Sequence, residues 1–92
     1  MVASAIFRCG DRVERVREKR AGHKCWTGGV VVMVVPSGVS PYALYVRWLK
    51  SKGECKFDVR DPVIHKDRYI VEVRRGDKLY YYCPNNNSIR KV

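Results

Sequence analysis

Apolar residues run without interruption from residue 30 to residue 35, after two glycines and before Pro36. Five of these six residues are Val, and β-branched side chains favour a pleated strand over a helix. An unbroken apolar run of this length predicts a central strand that is buried on both faces. Residues 36–41 contain Pro, Gly and Ser, which is typical of a turn that ends the strand.

Period-two alternation of apolar and polar positions predicts the next two strands, at residues 42–49 and 54–60. A short polar turn at residues 50–53 joins them, so the second strand is expected to be antiparallel and half-buried. Trp48 and Phe57 lie on the apolar faces of these strands and are predicted to be core residues.

A terminal hairpin is predicted from two further alternating stretches, residues 69–74 and 78–83, separated by Arg75, Gly76 and Asp77. Three consecutive tyrosines, 80–82, occupy its second strand. Because neighbouring strand residues point to opposite faces, either Tyr81 or the other two tyrosines should be exposed or covered by another chain.

Residues 11–22 fit two structures. Asp11 followed by Glu14 is a capping-box pattern, and Gly22 stands where a helix would end. Only a few of the intervening residues are apolar, too few to dock a helix firmly, so a strand over residues 12–17 is the favoured interpretation. The apolar residues 1–7 are interpreted as an opening strand or as a leader packed against the body.

These elements predict an all-β single domain over residues 1–92. The expected architecture is a small barrel of about five strands at residues 10–68, an extra C-terminal hairpin at residues 69–83 and a tail at residues 84–92. The two buried faces of the central strand each need a covering. The barrel interior serves one face, and the terminal hairpin or the leader is expected to serve the other.

The net charge of the chain indicates the class of partner that it would bind. Nineteen Lys and Arg against nine Asp and Glu give a net charge of +10, which favours a polyanion such as nucleic acid or an anionic membrane surface. Hydrophobic residues make up 46% of the chain, enough to fold and too many for a disordered basic tail.

Nothing in the sequence predicts catalysis or a bound cofactor. His23 and His65 lie in no nucleophile, metalloprotease or phosphate-loop pattern. The four cysteines are widely spaced, so a mixed site with His23 is disfavoured, free thiols are expected and no metal is predicted. Residues 1–7 lack a secretory n-region and h-region, and the expected location is intracellular. No segment is long enough to cross a bilayer.

Several short motifs follow one another in a familiar order. They are Gly10-Asp11-Arg12-Val13, Trp26, Gly29-Val30-Val31 and Tyr45-Val46-Arg47-Trp48. This order resembles the SH3-like small barrels, such as Tudor, chromo-barrel and KOW domains. It is also similar to the MIB/HERC2 domain of ubiquitin ligases, at Tyr45, Val46, Trp48, Gly53 and Phe57. The resemblance covers residues 10–68 and implies a small β-barrel that serves as a binding module.

Nucleic acid is the first partner that the sequence predicts, bound through basic side chains that neutralise phosphates. The candidate residues are Arg12, Arg15, Arg17, Lys19, Arg20, Lys24, Arg47, Lys56 and Arg60. Arg47, Lys56 and Arg60 lie on the polar faces of neighbouring predicted strands and are expected to converge. Exposed aromatic side chains would stack on bases or sugars. The candidates are Trp26, Tyr42, Tyr45, Tyr80 and Tyr82.

Two other binding roles remain open. In the first, Trp26, Tyr42 and Tyr45 form a Tudor-like cage for a methylated ammonium group, with Glu54 or Asp58 as its acidic member. In the second, the edge of the hairpin at residues 69–83 pairs with a second protein chain.

Overall fold

The computed structural model describes residues 7–15, 25–57 and 68–92. These residues form six strands and one helical segment. The strands are β1 (Arg12–Arg15), β2 (Trp26–Val35), β3 (Glu54–Cys55), β4 (Arg68–Arg75), β5 (Lys78–Tyr82) and β6 (Ile89–Lys91). The helical segment comprises α1 (Pro41–Leu44) and a π-helix (Tyr45–Leu49). The prediction of a small all-β fold is confirmed.

All six strands belong to one mixed sheet in the order β3-β5-β4-β2-β1-β6. Every neighbouring pair is antiparallel except β3 and β5, which run parallel. The edge strands β3 and β6 do not pair with each other, so the sheet is open, and barrel closure is not observed among the described residues.

The predicted central strand is confirmed, because β2 lies between β1 and β4 and none of residues 30–35 is exposed. A bulge between Val31 and Met33 changes which side of the sheet successive residues occupy. Val31 and Val34 therefore pack on one side of the sheet, whereas Met33 and Val35 pack on the other.

Two apolar clusters lie on the two sides of the sheet, here called the first face and the second face. The first-face cluster contains Phe7, Val13, Trp26, Val31, Tyr69, Val71, Val73 and Ile89. The second-face cluster contains Val35, Tyr45, Leu49, Ile70 and Tyr81, so the helical segment covers this face.

The predicted coverings of the central strand need correction. The hairpin is not a separate layer, because β4 pairs directly with β2. The leader contributes to the first face through Phe7, whose ring meets that of Tyr69 edge-on with the centroids 5.2 Å apart. Residues 1–6 lie outside the described residues.

The prediction of a strand at residues 42–49 is wrong, because this stretch is helical. Ser40 is the N-cap residue, and its Oγ accepts a hydrogen bond from the Ala43 backbone N–H at 3.4 Å. Pro41 follows at the start of the helix, where its fixed φ and missing N–H are favourable. Tyr45 and Leu49 then share the inward face, a spacing that a helix satisfies.

Helical geometry also changes the predicted core. Trp48 was expected inside, but it is 54% exposed because it points away from the sheet. Phe57 agrees with the prediction, since it packs half-buried against the second-face cluster.

The hairpin prediction is confirmed. Arg75 pairs with Lys78, which leaves Gly76 and Asp77 as a two-residue turn. Gly76 has a φ of +64°, the positive value that such turns require. The hairpin does not present a free edge over its whole length, because β3 pairs with β5 at Tyr80 and Tyr81.

Three other element predictions have mixed outcomes. The strand favoured at residues 12–17 is confirmed as β1 over its first four residues, and the remainder lies outside the described residues. The strand predicted at residues 54–60 is present as β3 at its first two residues only, and residues 58–60 lie outside the described residues. Its predicted antiparallel direction is wrong, because β3 runs parallel to β5. The predicted tail contains β6, which pairs with β1.

Among the described residues, no helix has the length and apolar character needed to cross a membrane.

Candidate nucleic-acid interface

Tyr80 stands on the first face of the sheet, within β5. It lies opposite Val73 of β4, a member of the first-face cluster, whereas the next residue, Tyr81, is fully buried on the second face. Tyr80 and Tyr82 share the first face and are half-buried. The alternation that the sequence predicted for the three tyrosines therefore holds, with Tyr81 as the core residue.

Two cations from the strands on either side of β5 contact the Tyr80 ring. Lys56 Nζ, just after β3, lies 5.2 Å from the ring centroid. The guanidinium carbon of Arg75, at the end of β4, lies 5.7 Å from the same centroid. Cation–π attraction at an exposed site contributes about 0.5–1 kcal/mol, so the ring holds both cations in place without neutralising them.

A third cation, Lys78, lies directly across from Arg75 in the β4–β5 ladder. Lys56, Arg75, Lys78 and Tyr80 are together called the Tyr80 cluster. Its one ion pair among the described residues joins Lys56 Nζ to Glu54 Oε2 at 3.4 Å. Like charges opposite each other on a sheet repel, so Arg75 and Lys78 favour an external anion.

Cations at the opposite end of the sheet are neutralised by the protein itself. Arg90 Nε on β6 lies 2.7 Å from Glu14 Oε1 on β1. Lys91 Nζ lies 3.6 Å from Asp11 Oδ1. Among the described residues, Arg90 and Lys91 thus have acidic partners, whereas no ion pair involves Arg75 or Lys78.

A second exposed group of aromatic and basic residues lies on the helical segment. The guanidinium carbon of Arg47 sits 5.1 Å from the centre of the Trp48 ring, and Val46 beside them is 44% exposed. Lys50 and Lys52 follow in an exposed turn. These five residues are called the Trp48 ridge. Val46, Arg47 and Trp48 are exposed on the helical segment, whose inner side covers the second face, and the two lysines lie in the turn that follows it.

Two of the predicted aromatic contacts, Trp26 and Tyr82, pack against each other. Their ring centroids are 5.4 Å apart with the planes tilted by 31°. Trp26 is buried and lies over Gly29, where a Cβ atom would stand only 2.6 Å from Val71 Cγ1. Trp26 is thus a core residue and not a contact surface, and Tyr82 is half-covered by it.

The predicted aromatic cage is not assembled. Trp26 belongs to the first-face cluster, whereas Tyr42 and Tyr45 pack in the second-face cluster. Tyr45 is buried, and its hydroxyl donates to the Gly53 carbonyl oxygen at 2.9 Å. The sheet therefore separates the rings that the cage would require on one side, and both Tyr42 and Tyr45 are structural.

The predicted convergence of Arg47 with Lys56 is wrong. Lys56 contacts Tyr80 on the first face, whereas Arg47 projects from the helical segment over the second face. Arg12 is exposed on β1 opposite Val30, away from both groups, and Arg15 is half-buried. The remaining predicted cations lie outside the described residues. They are Arg17, Lys19, Arg20, Lys24 and Arg60.

Sequence reasoning missed Arg75, Lys78 and the exposure of Trp48. The signal for the first two was available, because a two-residue turn at Gly76 fixes which residues of the hairpin stand opposite each other. The signal for Trp48 was the Ser40-Pro41 pair, a helix start that was interpreted as part of a turn.

Two further polar groups lie outside these two surfaces. No disulfide joins the four cysteines, and burial raises the pKa of the Cys55 thiol, so it stays protonated at neutral pH. The Tyr81 hydroxyl donates to Glu72 Oε2 at 2.8 Å. In the part of the chain that the structure describes, no three His, Cys, Asp or Glu side chains are grouped to hold a metal ion.

The resemblance to SH3-like barrels stays a prediction, because an open sheet does not by itself identify a protein family. No protein-family model, no curated protein and no solved structure matches this chain.

Proposed function

We propose that this protein binds nucleic acid without enzymatic chemistry, through the Tyr80 cluster. The observation that carries the proposal is the grouping of Lys56, Arg75 and Lys78 around a half-exposed tyrosine on three adjacent strands. The net charge of +10 supports it, because long-range attraction raises the rate at which a polyanion arrives.

Each part of the cluster has a role in the proposed complex. The cations contact phosphate oxygens, and counterions released from the nucleic acid supply most of the affinity. Tyr80 offers ring surface to a base or a sugar, a contact that tolerates any sequence. Phosphate contacts and ring stacking carry little sequence information, so we expect little base specificity.

The test is fluorescence polarisation with labelled single- and double-stranded DNA and RNA at about 50 and about 200 mM salt. Lys56→Gln combined with Arg75→Gln should weaken binding and reduce the slope of log K against log salt by about 0.7–0.9 for each lost phosphate contact. The matched control, Arg90→Gln with Lys91→Gln, removes the same charge at the end where acids already pair with it.

The two double variants separate local contact from net charge. Equal losses of affinity and slope in both would show that the Tyr80 cluster is not the interface. Tyr80→Leu keeps apolar bulk but removes the aromatic ring, and should weaken single-strand binding by about fivefold or more. Absence of binding to every nucleic acid at the lower salt concentration would refute the proposed function.

A further inference from the structure

We infer that this protein bridges two nucleic-acid strands, one at the Tyr80 cluster and one at the Trp48 ridge. This inference rests on the proposed function and extends it to a second binding surface. It starts from the separation of Arg47 and Lys56, which belong to two groups on opposite sides of the sheet.

The Trp48 ridge has the same chemistry as the Tyr80 cluster. In both groups a cation lies over an aromatic ring, half-buried for Tyr80 and exposed for Trp48, and further cations stand nearby. Residues 41–53 carry three basic residues and no acidic residue. Trp48 is more than half exposed, so a base can stack on the part of its indole that Arg47 leaves uncovered.

The layers of the fold keep the two surfaces apart. Tyr80 and Tyr81 point to opposite faces, and the ring of Tyr45 packs 6.2 Å from that of Tyr81 on the second face. Trp48 projects beyond this layer, on the outer side of the helical segment. The sheet and the helical segment packed on its second face therefore lie between the Tyr80 ring and the Trp48 side chain.

Other occupants of the ridge fit less well. A second copy of this chain would bring another +10 of charge against Arg47, Lys50 and Lys52. A lipid surface requires a continuous apolar face, whereas Arg47 stands between Val46 and Trp48 on the outer side of the segment. A polyanion whose bases can stack satisfies both the charge and the exposed ring.

The experiment uses two non-complementary single-stranded oligonucleotides of about 12 nucleotides, one labelled with a donor and one with an acceptor fluorophore. Adding the full chain should raise energy transfer at intermediate protein concentration. Excess protein should abolish the transfer, because each oligonucleotide then binds a separate molecule. Polarisation on one oligonucleotide measures ordinary binding in parallel.

Trp48→Ser is the diagnostic variant, and Val92→Ser is the matched control because Val92 is also exposed. Trp48→Ser should reduce the transfer by about fivefold or more, the loss expected for one stacked base. It should leave polarisation binding of a single oligonucleotide within about twofold, since the Tyr80 cluster is intact. Val92→Ser should change neither signal.

Each other outcome is decisive. Binding without energy transfer, or transfer that Trp48→Ser leaves unchanged, overturns the bridging inference while the proposed function stands. If Trp48→Ser lowers the affinity for a single oligonucleotide as much as it lowers the energy transfer, one strand contacts both surfaces. That result also overturns the bridging inference. If the free protein sediments as a dimer that Trp48→Ser dissociates, the Trp48 ridge is a contact between two copies of this chain. If binding to phosphatidylserine vesicles depends on Trp48, the ridge contacts lipid. Either result overturns the bridging inference. Loss of all binding refutes the proposed function itself.

Discussion

Tyr81 shows how one residue of the sheet combines packing with a polar contact. Its ring is fully buried among second-face residues, and its hydroxyl donates to the half-buried carboxylate of Glu72. Burial raises the pKa of Tyr81 above its ordinary value of 10.0, and the negative charge of Glu72 raises it further. The phenol therefore stays protonated in the folded protein at pH values where an unfolded tyrosine ionises.

This difference predicts a dependence of stability on alkaline pH. A raised folded-state pKa stabilises the fold fully below the unfolded pKa, and that contribution is lost as pH rises above it. We expect the free energy of unfolding of the natural protein to begin to fall near pH 10 and to keep falling towards the raised folded-state pKa, and to fall less steeply in Tyr81→Phe.

Urea denaturation across this range measures the effect. The other tyrosines titrate in both proteins, so the difference between the two curves isolates Tyr81. Parallel curves for the two proteins would mean that the Tyr81 phenol ionises equally easily in both states.

The helical segment shows where local pattern and local geometry conflict. Residues 42–49 alternate as a strand would, yet Ser40 and Pro41 start a helix and Tyr45 and Leu49 anchor it to the sheet. Alternation over eight residues places apolar side chains on every side of a helix, so periodicity alone did not separate the two structures. Packing against Ile70 and Tyr81 decides it, and that information is not local.

A pair of substitutions tests this element directly. Leu49→Ala should lower the free energy of unfolding by about 2–5 kcal/mol, because it leaves a cavity beneath the segment. Trp48→Ala should change it by about 0.5 kcal/mol or less, because the side chain is mostly exposed. A larger loss for Trp48→Ala than for Leu49→Ala would restore the strand interpretation.

More of the fold than of the site was predictable from sequence. The unbroken apolar run at residues 30–35 predicted β2 at the centre, and the Gly76 turn predicted the β4–β5 hairpin, because both signals are local. The site needed long-range information. Lys56 lies beside Tyr80 because β3 pairs in parallel with β5 after a crossover. No local sequence pattern predicts such a pairing.

At the scale of the whole molecule, the sheet is open and its two edges are short. The edge strands β3 and β6 have two and three residues, which limits the backbone that another chain can pair with. The predicted tail contributes β6, whose Ile89 is buried in the first-face cluster. The other residues of β6, Arg90 and Lys91, are charged and exposed, and residues 84–88 are Pro, Asn and Ser, so the tail has no apolar pattern long enough to predict a strand.

Two substitutions within the tail test whether it belongs to the fold. Ile89→Ala should lower the free energy of unfolding by about 2–5 kcal/mol, because Ile89 is only 5% exposed. Val92→Ala, at a residue 78% exposed, should change it by about 0.5 kcal/mol or less. Denaturation followed by circular dichroism measures both, and equal small effects would indicate a tail that does not pack.

The apolar composition of β2 matters while the chain is being synthesised. Residues 26–35 leave the ribosome well before β4, the neighbour that covers one of their edges. In that interval residues 30–35 are an uncharged β-forming segment without proline, the composition that stacks into fibrils. We expect mutual repulsion between the basic nascent chains to keep such segments apart. The net charge of +10 would then act during synthesis as well as in the folded protein.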